Sequence, residues 1–426
     1  ISSAVSRQRC WRSFVIKILF GDYARRTKSE VPWHFWRRTT ADSSTVSCFA
    51  SMEDGASFTG VSSMRGALAE KAGGPLEIRD LRIANLTSDD VVVRIRATSL
   101  CHTDLEAVDG QLGTPFPFVP GHEASGIVER IGSSVERLSV GDHVVLSWNP
   151  HCGHCYYCAR EQSILCEKYR ENAIQSMHFD GKARIYDGER PVHQLMYAGT
   201  FAELAVVTEH CAVKIPESMP FHVACLIGCG VATGVGAVSN IARVRAGSSV
   251  TVIGCGAVGL SAVQGARLAR AETIIAIDRD VQKLQMAKRL GATHTMLADE
   301  NLIPSHAALT NGRGADYVFE AAGNEAGFQL SMEIVRPGGQ VVWLGKVAQQ
   351  QRVSFRWGSL MGEKNIVRSS YGGNRAQEFF PWLANAYLNG DLRLDDYVTS
   401  RVSLTEVNTA VDRLRKGLEI RSVIEF

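Results

Sequence analysis

From Met64 onward the apolar positions fall in short runs punctuated by Gly and Pro: GPLEIRDLRI, VVVRIRATSL, SGIVERIG and GDHVVLSW. Segments of this length, rich in β-branched residues, predict strands, and their irregular spacing predicts a largely antiparallel β domain. After about Gly230 the rhythm changes to strand followed by helix: SSVTVIG, then Ala257 to Arg270, TIIAID, Val281 to Leu290, YVFEAAG and QVVWLG. Alternation of that kind predicts a parallel sheet covered by crossover helices. The tail from about Tyr371 is mixed in character and ends in the strand-like RSVIEF. The fold class expected is therefore α/β, with a β-rich domain beside a doubly wound parallel sheet.

Composition narrows the partners. In 426 residues, 46 basic and 44 acidic side chains nearly cancel, so there is no excess of positive charge with which to neutralise nucleic-acid phosphates. The longest early apolar run, Phe14 to Phe20, is interrupted by Lys17 and too short for a bilayer; neither nucleic acid nor membrane is expected as a partner. Residues 1–63 differ from the rest, since up to Thr40 nine basic residues face two acidic ones, Asp22 and Glu30. An N-terminal extension, disordered or an organellar targeting segment, is expected there, and Met52 and Met64 both precede plausible beginnings. Of the eleven cysteines, six fall where metal sites would use them as thiolates, which implies a reducing, cytoplasmic setting rather than a disulfide framework.

The strongest local signal for a nucleotide is the strand SSVTVIG running into Gly254-Cys255-Gly256-Ala257-Val258-Gly259 and then a helical pattern. The first glycine permits the tight turn, the second lets backbone approach a pyrophosphate, and the third lets helix pack on strand, with the first helical amides facing the phosphates. Asp278 stands 19 residues beyond Gly259, at the end of TIIAID, where a carboxylate accepts ribose hydroxyls and repels a 2′-phosphate. NAD is therefore expected over NADP, although Arg279 beside it is the kind of residue that accommodates a phosphate.

Two sets of residues have the chemistry of zinc ligands. Cys152, Cys155, Cys158 and Cys166 are spaced closely enough to converge on one tetrahedral zinc, and a sphere closed by four protein ligands is structural. Cys101 in CHTD, His122 in GHE and Cys229 in IGCGVATG form a scattered Cys, His, Cys set of the kind that leaves a fourth position open. Spacing alone does not join these three; a cysteine near glycine is as well read as a small core residue, as Cys225 and Cys255 are.

In their order along the chain, CHTD, GHEASGIVERIG, GDHVV, the four-cysteine loop, LIGCGVATG and VIGCGAVG resemble the zinc-containing medium-chain alcohol dehydrogenases over Met64 to Phe426. The likeness is greatest to the longer-chain branch, which includes class III-like and bacterial aryl-alcohol enzymes, because FDGKARIYDGERPVHQLMYAGTFAELAVV matches an insertion found there. The resemblance implies a GroES-like catalytic domain over 64–229, a Rossmann NAD-binding domain over 230–370, a return to the catalytic domain over 371–426, and a homodimer. It implies two zinc ions per chain, with Cys101, His122 and Cys229 as ligands of the catalytic one.

By the same resemblance, Asp104 holds the His122 ring, Glu123 lies behind the metal and assists ligand exchange, and Thr103 bonds the alcohol and opens the proton relay. His102, Lys283 and Arg421 fall at coenzyme-contact positions, and Trp148 and Leu112 at substrate-pocket positions that suit a primary or aryl alcohol. Glu106 departs from the pattern, standing where many members carry a relay histidine; a carboxylate is the poorer acid near neutrality. The activity implied is reversible hydride transfer between an alcohol and NAD. Arg170, four residues after Cys166, raises the alternative of a formaldehyde dehydrogenase that acts on a thiol adduct, against which Leu112 is apolar where those enzymes are acidic. A non-catalytic zinc-stabilised module of the same fold is the reading from another class, and the intact Cys101, His122, Cys229 set speaks against it.

Overall fold

The computed structural model describes residues 62–172, 175–348 and 350–426. The extension expected over 1–63, with its targeting reading, lies outside the described residues except for Ser62 and Ser63, which already open the strand Ser62–Ala69.

The strand-helix alternation seen after Gly230 builds one six-stranded sheet whose neighbouring strands all run parallel. Across the sheet the strands are His294–Leu297, Thr273–Asp278, Ser249–Ile253, Ala315–Glu320, Val335–Trp343 and Asn365–Arg368. Val250, Val252, Ile275, Ala276 and Val341 are fully buried because both faces of the sheet are covered, which is why these strands read as continuous apolar runs instead of alternating ones. Ser249–Ile253 pairs with the following strand on one side and with Ala315–Glu320 on the other, so the chain order reverses there. At such a reversal the two outgoing loops part and open a crevice above the carboxyl ends of the strands.

The first half and the C-terminal tail form the second layer. Five short strands close into a barrel, and a seven-stranded sheet is centred on Asp90–Ser99, which pairs antiparallel with Glu123–Ile131. The tail strand Arg421–Glu425 also lies on Asp90–Ser99, with Val423 opposite Ser99 and Ile424 opposite Thr98. A strand more than three hundred residues distant in sequence is thereby laid next to the start of the CHTD segment. The expected antiparallel character holds apart from two parallel pairings, Phe118–Val119 with Arg190–Gln194 and Val398–Val402 with Arg421–Glu425. No single helix among the described residues is long and apolar enough to cross a membrane.

Glu320 ends its strand at the crevice, and its side chain turns back into the fold. Oε1 accepts the backbone N–H groups of Ala322 at 2.9 Å and Gly323 at 2.8 Å, while Oε2 is buried with no partner. Burial pushes this carboxyl up to about 7, against the backbone donors that favour its charge. Between its ordinary 4.5 and that value the folded protein holds a proton that the unfolded chain has released, so this group's contribution to stability falls as pH rises through the window. Glu320→Gln is therefore expected to gain stability relative to the parent between pH 5 and pH 8, by about 1–3 kcal/mol. Urea unfolding of both proteins at the two pH values measures this, and an unchanged difference between them would show that the carboxylate is ionised throughout.

Candidate active site

Cys101 ends the segment after Asp90–Ser99 and is the N-cap of the helix His102–Val108. Asp104, in the first turn of that helix, ties two chain segments together: its carboxylate accepts the Cys101 N–H at 2.8 Å and the Gly121 N–H at 3.0 Å, and lies 2.9 Å from His122 Nδ1. A ring that donates from Nδ1 presents Nε2 on its other side, and His122 Nε2 is buried with no hydrogen-bond partner. Cys229 is the N-cap of the helix Gly230–Gly236 and brings its thiol to the same place. The ligand atoms of Cys101, His122, Cys229 and Glu123 lie within 4.8 Å of one another. An unpartnered buried imidazole nitrogen between two thiols is the donor set of a zinc with an open position, so the residues present fit the metal.

Behind this set lies a buried ion pair. Arg421 donates from Nε to Glu123 Oε2 and from Nη2 to Glu123 Oε1, each at 3.0 Å, and Nη2 is 3.5 Å from Cys101 Sγ. Ser99 Oγ also donates to Glu123, and Gly230 N–H reaches Oε1 at 3.3 Å. Arg421, expected on the coenzyme, is 6% exposed and turns its guanidinium to the Glu123 carboxylate, the tail strand having delivered it beside Cys101. Burial raises the Glu123 carboxyl above its ordinary value, and Arg421 works in the opposite direction. The neighbouring Cys229 thiol holds Cys101 well below the usual thiol range, with burial opposing and Arg421 assisting.

The four-cysteine loop converges as its spacing predicts, with the ligand atoms of Cys152, Cys155, Cys158 and Cys166 within 4.8 Å of one another. Backbone N–H groups already point at the sulfurs, Cys152 N to Cys166 Sγ at 3.3 Å and Cys155 N to Cys152 Sγ at 3.4 Å. Four thiols in so small a volume fit a closed zinc sphere. The lobe has little apolar core to replace it, since Cys166 alone of the four is buried.

At the crevice the three glycines differ in what they permit. Gly254 has φ +91°, and a Cβ there would lie 2.6 Å from Ala322 N across the chain reversal; a Cβ on Gly259 would lie 1.8 Å from the Gly254 carbonyl. Gly256 has nothing within 4 Å of such a Cβ, leaving open space where a phosphate would come. Ala257 and Val258 begin the helix Ala257–Leu268, so their N–H groups face the same opening. Asp278 accepts the Cys255 N–H at 2.7 Å and the Asp280 N–H at 2.9 Å, so it also braces the turn it was expected to serve. Lys283 stands in the next helix, Val281–Arg289, and His102 is exposed at the start of its own.

Beside Cys229, Trp148 stacks on Tyr371 at 4.2 Å between ring centroids, and the Tyr371 hydroxyl donates to the Gly228 carbonyl. Leu112 is 37% exposed in the loop after His102–Val108. Two residues here carry no mark in a motif. Tyr371 could be found only from the fold; Lys346 was in principle visible as a cation directly after the apolar run QVVWLG, at the carboxyl end of a parallel strand. Its Nζ donates to Thr103 Oγ1 at 3.0 Å and to Glu106 Oε2 at 2.6 Å.

Comparison with known proteins agrees with this geometry. The family model of the alcohol dehydrogenase GroES-like domain matches residues 87–217, and that of zinc-binding dehydrogenase matches residues 257–385. An S-(hydroxymethyl)glutathione dehydrogenase of Escherichia coli O1:K1 / APEC is 37% identical over 367 residues, 85% of this chain and 99% of that protein. Among solved structures, an alcohol dehydrogenase zinc-binding domain protein from Burkholderia ambifaria superposes with a TM-score of 0.83 at 34% identity, covering 86% of this chain and 100% of its own. Benzyl alcohol dehydrogenase from Acinetobacter calcoaceticus does so with 0.81 at 30% identity, over 86% and 99%.

Fold and site together define a zinc-binding dehydrogenase. Within that class the chain belongs to the zinc-dependent medium-chain alcohol dehydrogenases and is an oxidoreductase.

Two outcomes follow from the packing. Gly256→Ala should fold and bind NADH at least about tenfold more weakly, whereas Gly259→Ala should fail to fold stably, as NADH fluorescence titration and thermal melts would show. Arg421→Met leaves Glu123 buried without its partner and should lose about 3–5 kcal/mol in chemical unfolding, more than Glu123→Gln/Arg421→Met loses. Equal losses would mean that the pair is not what the arginine stabilises.

Proposed function

We propose that this enzyme oxidises primary and aryl alcohols with NAD, in a reversible hydride transfer. The observation that carries the reading is the convergence of Cys101, His122 and Cys229, with Thr103 in the first turn of the helix that Cys101 caps, on the chain whose Asp278 braces the glycine turn. When bound, zinc acidifies the substrate hydroxyl and the coenzyme takes the hydride. The protein's own residues position and deprotonate. Asp104 fixes the His122 ring so that Nε2 faces the thiols, Thr103 accepts the alcohol proton, and the Trp148–Tyr371 stack supplies an aromatic wall on which an aryl group would pack. Asp278 favours NAD, because a 2′-phosphate beside its carboxylate would meet like charge.

A second substrate reading, an S-(hydroxymethyl) thiol adduct, is favoured by the name of the E. coli relatives and by Arg170, which is exposed on the helix Glu167–Asn172 and free to meet a carboxylate. Leu112 near the pocket argues for the apolar alcohol instead. A homodimer is proposed as well: Asn365–Arg368 is an edge strand with a partner on one side only, and Trp357 and Met361 nearby are 75% and 62% exposed. A reducing compartment, as in the cytoplasm, suits six thiols held as metal ligands.

With two zinc ions per chain, NADH should form from benzyl alcohol, and no faster when glutathione and formaldehyde are supplied. A rate that depends on the thiol would move the assignment to the adduct. Thr103→Ala is expected to lower kcat by about 10²-fold or more while Thr103→Ser retains most of it.

A further inference from the structure

We propose that Lys346 is the group that exchanges the proton with Thr103, so that the relay of this enzyme runs through an ammonium held by Glu106 and not through Glu106 itself. The inference rests on the reading above that Thr103 meets the reacting oxygen.

Three observations carry it. Lys346 Nζ makes both contacts, 3.0 Å to Thr103 Oγ1 and 2.6 Å to Glu106 Oε2, and no hydrogen bond between Thr103 and Glu106 accompanies them. An ammonium is a donor only, so the direction of these bonds is settled by chemistry: Thr103 Oγ1 accepts from Lys346, and its own O–H is left to point elsewhere. Thr103 is 8% exposed and stands two residues after Cys101, and on the reading above that O–H meets the substrate oxygen. Lastly, the contact is made across a sequence separation of 243 residues, from the end of the strand Val335–Trp343 to the helix His102–Val108. As an ion pair alone it would add little, since the lysine side chain is 43% and the glutamate 23% exposed and solvent screens pairs so exposed.

In the direction of aldehyde reduction a bound coenzyme would supply the hydride to the carbonyl carbon. The substrate oxygen takes the Thr103 hydroxyl proton, Thr103 Oγ1 takes one from Lys346, and the free amine recovers a proton from water while the Glu106 carboxylate holds it in place. Alcohol oxidation is the reverse, with Lys346 as the amine that receives the proton. Lys346 acts on the reacting oxygen through Thr103 and is in that sense a positioning and relay residue. The carboxylate at position 106 has the task of orienting the cation.

The test uses the zinc-loaded enzyme, NAD and NADH, benzyl alcohol and benzaldehyde, with Lys346→Met, Lys346→Ala, Lys346→Arg and Glu106→Gln. Lys346→Met is expected to lower kcat about 10²-fold in both directions with KM and the NADH dissociation constant, read by coenzyme fluorescence, within threefold of the parent. Lys346→Arg should keep the charge and still fail, because guanidinium does not give up its proton near neutrality. Added methylamine should raise kcat of Lys346→Ala in proportion to its concentration and leave the parent unchanged. Glu106→Gln should lose less than Lys346→Met. A Lys346→Met enzyme within threefold of the parent, a fully active Lys346→Arg, or no rescue by amine would each overturn the proposal. A parent that reduces no aldehyde and oxidises no alcohol overturns the proposed function first, and the relay with it.

Discussion

Charge buried without water is the constraint on which the site depends. Cys101, His122, Asp104, Glu123 and Arg421 are all nearly inaccessible, and each that is ionised must find its counter-charge within a few ångströms. The arrangement meets this pair by pair: Asp104 faces His122, Glu123 faces Arg421, and the two thiols face one another across the position where a divalent cation fits. A divalent cation among two thiolates cancels their charge, which makes metal binding and stability of the pocket the same free energy. The backbone serves that balance. Asp104 accepts two N–H groups while holding the imidazole, so the loop carrying His122 and the helix behind Cys101 cannot move independently.

The second constraint is steric and lies at the chain reversal of the parallel sheet. Gly254 turns under Ala322 with no room for a side chain, and Gly259 packs on the Gly254 carbonyl, so strand, turn and helix meet closely. Around that packed point Gly256 alone is open. The same reversal sends the strand Val335–Trp343 toward the cleft with Lys346 at its end, which is how a residue of the nucleotide-binding layer comes to touch Thr103 in the other layer.

Much of this was readable from the chain. The strand Thr273–Asp278 has the bounds its apolar run indicates, and the helix after the glycine turn starts at Ala257 as expected. Other edges moved: the strand read from Tyr317 begins at Ala315, and that read from Gln340 begins at Val335, before Pro337 and two glycines. Turn residues mask a strand where neighbouring strands supply the pairing, and here a register shift between Ala315 and Tyr317 absorbs the irregularity. The contact between Arg421 and Glu123 was not readable for a comparable reason. Position along the chain puts an arginine near the cleft, while the meeting of its guanidinium with the Glu123 carboxylate is set by the register of the tail strand against Asp90–Ser99.

What the sequence by itself determined is whatever rests on neighbours in the chain. Four cysteines within fifteen residues cannot avoid one another, and a strand, glycine turn and helix in order carry their own geometry. The Cys101, His122, Cys229 set became legible only through resemblance, being spread over more than a hundred residues. The Glu123–Arg421 pair and the Lys346 bridge were decided by tertiary structure alone. Each joins segments separated by some 240 to 300 residues, and no local pattern of polarity encodes which distant charge will be laid opposite when two sheets and a barrel pack. For Glu123 and Arg421 burial then selects the partner, because there an unpaired charge costs more than any contact it could make outside.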